Sequence, residues 1–142
     1  MSVTYIPAEL RRIVITRANA CCEYCRIADD DTHYGCELDH IISEKHGGET
    51  EAYNLALVCA RCNQAKGSDI GSIHWESGLF VRLYNPRTDR WAEHFQLIGC
   101  LIEGVSPIGM VTANLLGFNT EERVLLRSVL QEAGRFPTSI TD

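Results

Sequence analysis

The stretch CELDHII, residues 36–42, has the apolar and β-branched bias of a short strand, with Leu38, Ile41 and Ile42, yet it carries Asp39 and His40 side by side. Period-two alternation sends neighbouring side chains to opposite faces of a strand, so this one presents a carboxylate on one side and an imidazole on the other. What surrounds the pair decides what it is for. Cys22 and Cys25 form one CxxC before it, and Cys59 and Cys62 form another after it.

Each CxxC turn brings two thiolates to one centre, and two such knuckles supply the closed tetrahedral sulfur set that structural Zn²⁺ prefers. Residues 26–58 separate the knuckles, more than the roughly 15–20 of a plain zinc ribbon, so a functional insert is expected between them. The competing assignment, a redox dithiol, usually has one CxxC beside a βαβ pattern, which this chain lacks. Of seven cysteines, Cys21, Cys36 and Cys100 are left over and expected to be buried without ligating.

Outward from this frame, PAELRRIVITRANACC (7–22) reads as an amphipathic helix that starts at Pro7 and ends near the first cysteines, with Leu10, Ile13, Val14, Ala18 and Cys21 inward. Residues 26–35 read as a polar loop, and GGET (47–50) as a turn. NLALVCARCNQAKG runs from an extended piece into a short helix stopped by Gly67. From Gly78, two breaks, at NPRTD and at IG, predict a β-hairpin or three-stranded meander over 78–105. Ser106-Pro107 opens a helix that Gly117 ends, a last helix follows Asn119 or Thr120, and GRFPTSITD reads as a loose tail.

With 142 residues, the chain is expected to form a single domain: a core at 21–70, the meander, and a helical extension at 106–135. It has no apolar run of membrane-spanning length, and MSVTYIPAELRR has no signal-peptide pattern, so a soluble, cytoplasmic protein is expected, with no membrane partner. The net charge of −6 weighs against a nucleic-acid partner, but its distribution does not: Asp29, Asp30 and Asp31 concentrate the acid, whereas Arg11, Arg12 and Arg17 outnumber Glu9 in the first twenty residues.

The series Asp39-His40, then Asn54, then Asn63 immediately after Cys62, with Lys66 one helical turn on and a CxxC at each end, resembles the HNH endonuclease family. LYNPRTDRWAEHF and GMVTANLLGFN resemble the C-terminal extension of a bacterial, often cyanobacterial, subgroup, which extends the resemblance over nearly the whole chain. It departs from the family at the third signature position, where Asn63 replaces histidine, an HNN variant.

The resemblance implies an α+β fold: a ββα-metal (His-Me finger) core with the four-cysteine zinc site, an N-terminal helix, a C-terminal hairpin or meander and two helices. It implies metal-dependent hydrolysis of DNA, with RNA an open alternative, leaving 5′-phosphate and 3′-hydroxyl ends, by a monomer or homodimer. Asp39 and Asn63 offer hard oxygens to one Mg²⁺ or similar divalent ion such as Mn²⁺. His40 is the expected general base. The family assigns Asn54 the loop and, through its carbonyl, the imidazole tautomer, while Lys66 is either a phosphate contact or a partner of the helix dipole.

Arg87, Arg90 and His94, with Trp91 nearby, are candidates to hold a nucleic-acid backbone by charge and stacking. The alternative is an ordinary hairpin whose Trp91 and Phe95 pack on the first helix. For the chain as a whole, the rival to a nuclease is a zinc-knuckle module that binds nucleic acid or protein without cutting it.

Overall fold

A computed structural model describes residues 4–138 as a mixed α/β fold of short antiparallel strand pairs and helices. Helix α1 (Ala8–Arg17) follows Pro7, and strand β1 (Cys36–His40) pairs antiparallel with β2 (Leu55–Cys59), with Asp39 opposite Ala56 and His40 opposite Leu55. Helix α2 (Ala60–Lys66) leaves β2 without a loop, because Cys59 caps it by accepting the Cys62 N–H at its sulfur.

β2 is buried on both faces, which explains its unbroken apolar run. Leu55 and Leu57 point towards α1 and join Ile6, Val14 and Ala18 in one cluster, with Leu38 of β1 packed against it. Ala56 and Val58 point the other way, into a larger core with Tyr24, Phe95, Ile102 and Phe118. Of the predicted inward side of α1, Val14, Ala18 and Cys21 are buried, whereas Ile13 faces solvent.

Of the hairpin or three-stranded meander expected over 78–105, the structure has hairpins and not a meander: the strands there belong to two separate pairs. Strand β3 (Gly71–His74), which the polar context of Gly71, Ser72 and His74 concealed, pairs with β4 (Leu79–Arg82). The segment expected to continue as a strand after NPRTD begins with a helical turn, α3 (Trp91–His94), and only then forms β5 (Phe95–Ile98), which pairs with β6 (Leu101–Gly104). Asp89 turns the chain between the hairpins: its carboxylate accepts two hydrogen bonds from Arg82, at 2.7 and 3.0 Å, and one from the Asn85 N–H.

Helix α4 (Pro107–Leu115) starts at Ser106, whose hydroxyl accepts the Gly109 N–H, and it packs on both hairpins. Helix α5 (Glu121–Glu132) follows. The tail is not loose as far as Thr138. Phe136 is buried, Arg135 pairs with Asp31, and the Thr138 hydroxyl donates to the Arg26 carbonyl. The last four residues of the predicted tail, 139–142, lie outside the described residues.

Helix α4 crosses β6 and the end of α3 backbone to backbone. A Cβ on Gly109 would lie 1.8 Å from the His94 carbonyl oxygen, and one on Gly104 would lie 2.3 Å from the Met110 nitrogen. Gly109→Ala should therefore lower the unfolding free energy by about 1–3 kcal/mol in urea titrations. An unchanged midpoint would show that this crossing is not close.

Candidate metal centre and nuclease site

The two CxxC turns meet. The sulfurs of Cys22, Cys25, Cys59 and Cys62 all lie within 4.8 Å of one another, and all four residues are buried. The Cys25–Cys59 sulfur separation is 3.7 Å, against about 3.8 Å expected across a tetrahedron of ~2.3 Å Zn–S bonds. Cys21 turns away and donates to the Asn19 carbonyl, and Cys100 donates to Gln131.

The surroundings fit a charged metal–thiolate centre. Arg123 of α5 is buried and donates to the Cys62 sulfur at 3.0 Å. Arg127, one turn on, is buried too and donates to the Cys100 carbonyl and the Asn119 side chain. Among the described residues neither arginine pairs with a carboxylate. Four thiolates and one Zn²⁺ leave two negative charges, and two buried guanidinium groups offset them. Burial opposes the Arg123 charge, but Cys62 and Cys25 outweigh it and hold this guanidinium above the usual arginine range. Hydrogen bonding with Cys22 pulls Cys25 and Cys59 below the usual thiol range, while burial pushes Cys22 and Cys62 above it.

Because Cys62 is held in this cluster, α2 lies across β1. Alternation along β1 does what the sequence implied for Asp39 and His40. Asp39 faces α2, where Lys66 Nζ donates to its Oδ2 at 2.8 Å. The same ammonium donates to the His40 carbonyl at 2.9 Å and is 1% exposed. Lys66 stands in the last turn of α2, where a cation favours the helix dipole, and its ammonium is buried rather than free. It is a buried cation that fixes Asp39 and the backbone of His40 together.

His40 is 4% exposed, and its Nε2 lies 2.9 Å from the Thr50 hydroxyl. The Asn54 carbonyl, expected on the imidazole, accepts instead from the Ile41 N–H at 2.8 Å. The Asn54 side chain closes the 42–49 loop: its Oδ1 accepts the Ile42 N–H, and its Nδ2 donates to the carbonyls of Ile42 and Glu49, each at 2.9 Å. Gly48 admits this closure, since a Cβ there would sit 1.7 Å from the Ile42 oxygen. His46, without a role in the sequence, lies 3.0 Å from the Ser68 carbonyl and ties the loop to the end of α2.

Asn63 is half-buried on the side of α2 that faces β1, with Nδ2 3.4 Å from Glu37 Oε2. Among the described residues nothing donates to Asp39 Oδ1 or Asn63 Oδ1. Both oxygens thus remain available to a hard cation, and the donor set fits a divalent ion.

The distal candidates fare differently. Arg87 is not free for a phosphate: it pairs with Glu23 and donates to the Leu55 carbonyl, so it clamps the turn at 85–89 onto β2 and the first knuckle. His94 Nδ1 lies 2.6 Å from the Ser106 hydroxyl and its ring stands edge-on to Tyr84, a structural position at the start of α4. Arg90 alone is exposed. Trp91 donates to the Tyr24 carbonyl and stacks under Arg26, so it packs on the knuckle and not on α1. Long-range partners of this kind leave no periodicity in sequence. No signal in the sequence pointed to Arg123 and Arg127, because Leu125, Leu126 and Val129 of α5 are exposed while both arginines turn inward.

Arg123→Met should release zinc to a chelator about tenfold faster than the parent protein, the usual cost of losing a partner of a metal ligand. Arg61→Ala, which breaks only an exposed pair with Glu122, should leave release unchanged. Equal release rates in the parent and Arg123→Met would remove the counter-charge role.

Over 82 residues the chain is 34% identical to the CRISPR-associated endonuclease Cas9 of Corynebacterium diphtheriae, covering 54% of this chain and 7% of that protein. No solved structure matches it. The family model described as HNH endonuclease matches residues 22–69, the segment from the first knuckle to just past α2. Residues 22–69 are therefore similar to the HNH endonuclease domain.

Proposed function

We propose that this protein is a metal-dependent DNA endonuclease, with His40 as general base and with Asp39 and Asn63 as the protein ligands of one catalytic divalent ion, Mg²⁺ or Mn²⁺. The observation that carries this is the placement of Asp39 and His40 on opposite faces of one strand end, both fixed by Lys66. When bound, the ion neutralises charge on the phosphoryl oxygens and helps the leaving oxygen depart.

The other tasks fall to the chain's own side chains. Lys66 holds Asp39 still, so its free Oδ1 needs no reorganisation to serve as a ligand. When Thr50 donates its hydroxyl proton, His40 Nε2 is the basic nitrogen of a neutral ring, and a water that replaces this hydroxyl is the one His40 deprotonates. Asn54 holds the 42–49 loop that carries Thr50's neighbours. The divergence of Asp39 and His40 suits in-line displacement, with the water on one side of the phosphorus and the leaving oxygen on the other. In this scheme residues 21–70 are the ββα-metal catalytic core of a single domain, and 78–105 and 106–135 buttress it. One such core cuts one strand per encounter.

Supercoiled plasmid is the direct substrate for a test. The zinc-loaded protein should nick it with Mg²⁺ or Mn²⁺ and not with EDTA, and His40→Ala should lose roughly 10²–10⁴-fold in rate while still binding DNA. Asp39→Ala should lose rate and respond differently to metal concentration. Cutting that survives in His40→Ala would overturn the base assignment. A folded, zinc-loaded protein that cuts nothing would favour a binding module.

A further inference from the structure

Asn63 stands where the family it resembles has histidine, and the exchange creates a problem of orientation. Rotating a carboxamide by half a turn replaces a ligating oxygen with an NH₂ group, whose two donors repel a cation. An asparagine ligand therefore benefits from something that tells its two ends apart.

Glu37 is placed to do so. It precedes Asp39 by two residues, so both carboxylates leave β1 on the same face. Asn63 precedes Lys66 by three residues, so both leave α2 on the same side. Strand and helix are joined by two parallel contacts, Lys66 to Asp39 at 2.8 Å and Asn63 to Glu37 at 3.4 Å. An ionised carboxylate only accepts hydrogen bonds, so Glu37 selects the NH₂ end of Asn63. The amide oxygen is left on the opposite edge of the planar group, with no donor among the described residues.

We propose that Glu37 is a positioning residue that fixes the carboxamide of Asn63 with Oδ1, not Nδ2, turned to the divalent ion held by Asp39. This rests on the nuclease function proposed above. Glu37 acts through Asn63 and does not itself hold the ion, which separates it from a third carboxylate ligand.

A double-mutant cycle tests it. Mn²⁺ binding to zinc-loaded protein is measured from the free-ion electron paramagnetic resonance signal for the parent, Glu37→Ala, Asn63→Asp, the double variant and Asp39→Ala. Glu37→Ala should weaken Mn²⁺ binding about fivefold, the cost of ordering one freed side chain. An aspartate at 63 offers oxygen at either end, so in the Asn63→Asp background Glu37→Ala should cost nothing or strengthen binding. No loss in the parent background, or an equal loss in both, would overturn the positioning role and leave the nuclease function standing. Absence of any Mn²⁺ binding that depends on Asp39 would overturn both.

Discussion

The four-sulfur joint between residues 22–25 and 59–62 is the contact on which the rest of the molecule depends. Each sheet here has two strands, and an isolated two-stranded sheet is marginal in water. The joint fixes both ends of the 26–58 insert, and through Cys62 it sets the start of α2. Structural zinc binding is itself folding free energy, so a four-cysteine Zn²⁺ centre would stabilise the hairpin that its own core is too small to hold. The extension takes part as well: α5 supplies Arg123 and Arg127, and Trp91 closes over Tyr24. Residues beyond the matched segment thus complete the charge balance and packing of the centre.

From that joint the chemistry follows by short steps. α2 lies over one face of β1, so whatever stands at positions 37 and 39 meets whatever stands at 63 and 66. His40, one residue on, is delivered to the other face, where the stapled 42–49 loop receives it. A carboxylate, an amide oxygen and an imidazole are thereby collected from a five-residue strand and a seven-residue helix. Burying Lys66 would be costly if it were unpaired; paired with Asp39 and the His40 carbonyl, it becomes the rigid element of the site.

Much of this was legible in the sequence because the signals were local. CxxC spacing identified the cysteine cluster, alternation separated Asp39 from His40, and Ser106-Pro107 marked the start of α4. The misread features depend on distant partners. Gly71–His74 forms a strand because β4 and α4 cover it, not because of its own composition. The run after NPRTD was read as strand, but Trp91 turns in to reach the first knuckle, and a helical turn precedes the strand. Arg87 looked like a free cation because Glu23, its partner, lies 64 residues away in the chain. The tail looked loose because Phe136 gives no sign of the core it enters.

Anomalous diffraction from crystals grown with Mn²⁺, recorded at the zinc and manganese edges, would reveal whether a zinc–thiolate joint places a separate divalent-ion site on β1 and α2. A zinc peak is expected about 2.3 Å from each of the four knuckle sulfurs, and a manganese peak in contact with Asp39 Oδ1 and Asn63 Oδ1. Disulfides in place of zinc, or manganese bound away from Asp39, would contradict this arrangement.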